Sequence, residues 1–140
     1  MRRRDLFCVA LLFACPIAAA CGGDAPPENL RELRRVRSGS VEVVLLSPND
    51  ALHRGRDTCF VEFRSVADGQ LTDAGDVRAN ATMPMAGMAP MAGRVEVRPT
   101  PTDGRYSVTT DLSMAGDWRI DIQWDGPMGR GSAVLSTSAQ

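Results

Sequence analysis

The chain reads as all-β, a single antiparallel β-sandwich. Three observations predict it. Apolar residues from Ser40 onward recur with a period of two rather than 3.6. Short runs of this kind are separated by Gly, Pro, Asn and Asp clusters. About seven such runs then fit into the last hundred or so residues, the spacing of a sandwich rather than of βαβ units. A length of 140 residues allows one ordinary domain.

The elements follow in order. "VEVVLLS" makes a first strand from Val41 to Ser47. "TCFVEFRS" puts Cys59, Val61 and Phe63 on one face. "DVRANATM" aligns Val77, Ala79, Ala81 and Met83, and "RVEVRP" turns Val95 and Val97 inward. "RYSVTTDL" groups Tyr106, Val108, Thr110 and Leu112. "DWRIDIQW" is the clearest strand: Trp118, Ile120, Ile122 and Trp124 face one way, Arg119, Asp121 and Gln123 the other. "GSAVLST" closes the chain. Between them, "SPND", "ADGQ", "PTDGR", "MAGD" and "WDGPMGRG" carry the residues that reverse a chain. The Cys…Trp…Cys pattern of antibody domains is missing, so the expectation is an immunoglobulin-like sandwich in architecture only. In "SMAGDW", Ala115 and Gly116 make a tight turn and Met114 is expected to pack over Trp118, a fold-defining role for all three motif residues Met114, Gly116 and Trp118.

Ahead of the sandwich, Arg2, Arg3 and Arg4 precede an apolar run, Leu6 to Ile17, that is short for a bilayer span. Ala18, Ala19 and Ala20 lead to Cys21. This resembles a bacterial lipoprotein signal, in which residues 1–20 are removed and Cys21 carries lipid. The rival reading is an ordinary signal peptide with an Ala-x-Ala cut and a free Cys21 thiol. By resemblance to sorting rules, Gly22 after the cysteine directs the protein to the outer membrane, facing the periplasm. Residues 21–39 are rich in Gly, Pro and charge and are expected as a tether, in which Leu30, Leu33 and Val36 have the spacing of a short helix. The sandwich domain is then expected over 40–138. Cys59 is left as the mature domain's cysteine, so no internal disulfide is expected, and its setting is that of a buried small hydrophobe.

A formal net charge of −1 argues against a nucleic-acid partner. No nucleophile elbow, zinc-protease motif or phosphate-cradling loop is present, so no enzyme is expected. The unusual stretch is "MPMAGMAPM", with Met83, Met85, Met88 and Met91 in nine residues. Thioether sulfur is a soft, neutral donor that suits Cu(I) and competes poorly for Zn(II) or Mg(II). The Ala-Gly and Ala-Pro spacers let the sulfurs curl together, so Met85, Met88 and Met91 are candidate ligands, with Met83 mainly structural. His53, the single histidine, joins them only if the fold brings it near. The competing readings are an apolar plug on one end of the sandwich, or an adaptable contact surface for another protein.

The Gly104-x-Tyr106 strand entry and the run "LSMAGDWRIDI" from Leu112 to Ile122 resemble the YtkA-like domain. That family in turn resembles FixH and domains attached to heavy-metal efflux adaptors. The resemblance spans about Val41 to Leu135. It implies an extracytoplasmic immunoglobulin-like domain and a role in copper handling, or in assembling copper-containing respiratory complexes, with a periplasmic or membrane copper protein as partner. Family members often carry histidine in the methionine loop, where this chain has Ala86 and Ala89; that departure favours Cu(I) over Cu(II).

Overall fold

The computed structural model describes residues 29–140. The expected signal segment and the lipidation site Cys21 lie outside them. Eight strands follow one another without a helix among the described residues: β1 (Arg31–Ser38), β2 (Val41–Ser47), β3 (Gly55–Ser65), β4 (Asp76–Met83), β5 (Met91–Pro99), β6 (Arg105–Leu112), β7 (Gly116–Gly126) and β8 (Gly129–Ala139). All strand pairs are antiparallel, in the order β1-β2-β3-β6-β5-β4-β7-β8. One face of the sandwich is β1-β2-β3-β6-β5 and the other is β4-β7-β8. The two faces join where Ala81–Met83 of β4 pair with Met91–Gly93 of β5. On the far side β1 lies along β8, and Ser38 Oγ donates to the Ser132 carbonyl at 2.9 Å, so the sheet is nearly closed.

The first strand corrects the expectation of a tether to residue 39 with a short helix. Residues 31–38 pair with β2 along their length instead. The register shifts between Glu32 and Arg34, so Leu33 is an extra residue in the strand. A regular strand would turn Leu33 and Val36 to opposite faces. The bulge lets both pack against the core, which is why their spacing of three imitates a helix.

The core is filled by the residues of period two. Val43, Leu45, Val61, Phe63, Ile120 and Leu135 are buried to 1% exposure or less. Trp118 is completely buried, and Phe63 meets the rings of Tyr106 and Trp124 edge-on at 5.5 and 5.2 Å. On the outer face of the larger sheet, Glu62 is buried between Arg64 and Arg105, whose Nε atoms donate to it at 2.9 and 2.8 Å.

The two ends of the sandwich differ. At one end, Tyr106 fastens the crossover from β3 to β4. Its hydroxyl accepts from Ala74 N at 3.2 Å and lies 3.0 Å from Asp73 Oδ1 and 3.1 Å from the Gly75 carbonyl. Gly104 lies so close that a Cβ there would be 2.7 Å from Thr72 N. The Gly-x-Tyr pair therefore closes this end. The β2–β3, β4–β5 and β6–β7 connections gather at the other end.

Candidate functional site

The methionine-rich stretch is the β4–β5 hairpin and its loop. Met83 and Met91 are directly opposite each other in the register, so their side chains emerge on the same face with Cβ atoms about 5 Å apart. Met83 is 8% exposed and belongs to the core, as its phase in the strand predicts; Met91 is half-buried against that core. Beyond them the chain reverses: Met88 N donates to the Met85 carbonyl at 3.4 Å, with Gly87 at φ +73°. Met85 and Met88 are thus the first and last residues of a β-turn, the second close pair in the hairpin. Met88 is 64% exposed and Met85 half-buried, which grades the methionines from solvent inward.

The neighbouring β6–β7 turn completes this end. Ser113 Oγ donates to Met91 Sδ at 2.9 Å. Gly116 has φ +135°, and a Cβ there would lie 2.9 Å from Met83 Cε and 3.8 Å from its Sδ. The glycine of the "MAG" run thus leaves room for the Met83 thioether. Met114 is 43% exposed, and the indole Nε1 of Trp118 donates to its carbonyl at 3.1 Å. That carbonyl satisfies the buried indole N–H, a bond that sequence reasoning did not foresee.

His53 sits at the same end, but its polar partners are elsewhere. Its backbone N donates to Asp57 Oδ2 at 2.9 Å, and its ring Nδ1 is 3.3 Å from that oxygen and 3.5 Å from Asn49 Nδ2. It lines a polar cleft of about 350 Å³ with Arg31, Pro48, Asn49, Asp50, Ala51 and Gln140, to which no methionine contributes. Cys59 is fully buried, with Sγ 3.5 Å from the Val108 carbonyl. Burial, reinforced by the charge of Asp57, pushes its thiol up to about 12. A thiol held neutral is a poor ligand and nucleophile.

The arrangement can therefore present thioether sulfurs with little competition from harder donors. Among the described residues no three His, Cys, Asp or Glu side chains cluster as a metal site. A cleft of about 650 Å³ lies at the opposite end beside Trp124 and Gln123. Its charges are self-neutralised, Arg78 on Asp76 at 2.6 Å and Arg130 on Asp125 at 2.7 Å. Sequence reasoning found the methionines and the inward Met83. It missed the pairing of Met83 with Met91 and the approach of Ser113, because both depend on which residues face each other across strands.

Comparison with families matches the YtkA-like family model to residues 35–123. Comparison with curated proteins finds no match. Among solved structures the chain is similar to the filamin domain of Lin-41, at 18% identity and a TM-score of 0.46, covering 64% of this chain and 81% of that one.

Proposed function

The chain belongs to the YtkA-like family, and from that premise we propose that it is an extracytoplasmic, lipid-anchored β-sandwich that binds Cu(I) through its methionine hairpin. Cys21 carries the anchor, on an outer-membrane lipoprotein facing the periplasm. The copper passes to or from a periplasmic or membrane copper protein.

One observation carries the reading: two close methionine pairs, Met83 with Met91 and Met85 with Met88, stand in succession on one hairpin. Thioethers need no deprotonation, so such a site keeps its affinity in a mildly acidic compartment. The gradient from exposed Met88 to buried Met83 supplies an entry point and an anchored inner donor. Met83 is thus the innermost ligand candidate alongside its core role.

The test is competition for Cu(I) against a chromophoric chelator, using the parent and a Met85→Leu/Met88→Leu/Met91→Leu triple variant. Leucine keeps volume and apolarity, at a cost usually below about 1.5 kcal/mol per site. The parent should withdraw Cu(I) stoichiometrically. The triple variant should remain folded and fail to do so. Equal competition by both would remove these methionines from the copper site, and no competition by the parent would remove copper from the account.

A second reading has its own support. Met88 and Met114, both exposed, stand on adjoining turns of the same end, which suits a non-metal contact surface for an envelope protein. On that reading neither protein in the titration takes up Cu(I).

A further inference from the structure

Strand β5 is paired on both sides only at its start. Met91–Gly93 face β4, but from Arg94 onward β5 follows one sheet while the first half of β4 follows the other. Among the described residues, Arg94–Pro99 have a strand partner on the β6 side and none on the other. The seam is apolar inside: Val77 and Ala79 of β4 and Val95 and Val97 of β5 reach the core but are only partly buried. Outside, Arg94, Glu96 and Arg98 are exposed, with Arg98 bonded to Glu96 in its own strand at 2.6 Å.

The direction of the free backbone groups follows from one bond. Thr100 N donates to the Arg105 carbonyl at 3.3 Å, toward β6. Backbone polarity alternates along a strand. So the even residues 94, 96 and 98 address β6, while Val95, Val97 and Pro99 address the open edge. A proline whose missing N–H faces away from the sheet is the arrangement edge strands tolerate.

We propose that this edge is the interface of a two-fold dimer, in which β5 pairs antiparallel with β5 of a second copy, centred on Val97. Of the possible centres, this one fits. Centring on Glu96 would oppose Glu96 to itself and Arg94 to Arg98, and would turn the wrong backbone groups to the interface. Centring on Val95 would require Gly93, whose edge β4 already occupies. Centred on Val97, each Val97 exchanges both backbone bonds with its counterpart, and each Val95 N–H meets a Pro99 carbonyl. Val97 meets Val97 on the apolar side. On the exposed side Glu96 faces Arg98 of the second copy, twice by symmetry, the opposite-charge pairing that stabilises cross-strand neighbours. Pro99, with no N–H to offer, limits how far the ladder extends.

One consequence concerns the methionines. Met91 lies six residues from the axis, about 20 Å along a strand. The two methionine ends therefore point apart, about 40 Å from each other, and each chain keeps its own sulfurs.

Sedimentation equilibrium on residues 29–140, which carry the eight strands and the core cluster described above, tests the proposal. The parent should show a concentration-dependent monomer–dimer equilibrium. Glu96→Arg and Arg98→Glu should each shift it at least about tenfold toward monomer, and the Glu96→Arg/Arg98→Glu double variant should restore it. Val97→Cys should form a disulfide-linked dimer under mild oxidation, since residues paired by backbone bonds have Cα atoms about 5.5 Å apart. A Thr102→Cys control should not. A parent that stays monomeric at millimolar concentration, or a Glu96→Arg variant that dimerises like the parent, would overturn it.

Discussion

Thr110 holds the one side-chain oxygen, among the described residues, that is buried without a hydrogen-bond partner. It lies on the inward face of β6, between Val108 and Leu112, where its neighbours are apolar. An unmet buried hydroxyl costs about 1–3 kcal/mol, and valine has nearly the same shape without it. Thr110→Val should raise stability by about 1 kcal/mol, read as a higher urea midpoint at unchanged slope. The other informative residues at this scale titrate. The chain contains arginine but no lysine, so its alkaline behaviour rests on few groups. Burial pushes the Cys59 thiol up to about 12 from 9.0. Burial, then the hydrogen bond and charge of Asp73, pushes Tyr106 up to about 12 from 10.0. A group whose folded pKa is raised contributes stability that is complete below its unfolded value and is lost as pH rises through the folded one. The urea midpoint of residues 29–140 should therefore hold to about pH 9 and fall between pH 9 and 12. In Cys59→Ala the fall should begin nearer pH 10, the ordinary range of tyrosine. A Cys59→Ala curve parallel to the parent's would mean that the thiol is not held neutral in the folded chain.

At the scale of elements, the β4–β5 hairpin and the β6–β7 turn act as one unit. The hairpin brings Met83 opposite Met91, and the turn meets both, through Gly116 under Met83 and Ser113 on Met91. Gly116→Ala tests that union. The contact with Met83 Cε is with the flexible end of a side chain and can relax, but φ +135° is a region that alanine rarely adopts. The variant should lose about 1–3 kcal/mol in denaturant unfolding. It should also weaken Cu(I) competition by displacing Met83. Loss of stability with unchanged Cu(I) affinity would separate Met83 from the proposed site. How far these elements could be read from sequence depends on their local signals. The strands with alternating apolar residues, from "TCFVEFRS" to "DWRIDIQW", carry the period that an in-and-out strand imposes. In β1 the bulge at Leu33 breaks the period, so "NLRELRRVRS" shows helical spacing where the chain is extended.

At the scale of the whole fold, stability among the described residues rests on inter-sheet packing and on two end closures rather than on a disulfide, for Cys59 is a free thiol. Tyr106 closes one end by its three polar contacts and the β4–β5 corner joins the sheets near the other. No helix among the described residues is long and apolar enough to cross a membrane. The proposed attachment is through Cys21. Cys21→Ser should abolish lipid attachment and move the protein from the membrane to the soluble fraction, because the sequence after the signal offers no other apolar segment of bilayer length. A serine variant that still sediments with outer membranes would refute the anchor.

The sequence by itself determined that the chain is β-rich, which face of most strands is buried, and that methionines crowd one connection. These are local properties, set by a side-chain period of two and by the turn chemistry between strands. It also carried the Gly-x-Tyr and "MAG-x-W" runs, but without their reasons. Only the tertiary structure decided that Gly104 makes room for the Thr72 backbone, that Gly116 makes room for Met83, and that the Met114 carbonyl accepts from the Trp118 indole. It likewise decided that Met83 faces Met91 while His53 turns to Asp57 and Asn49. Strand order and register are relations between distant segments. They follow from how two sheets bury one shared core, which no stretch of sequence encodes alone.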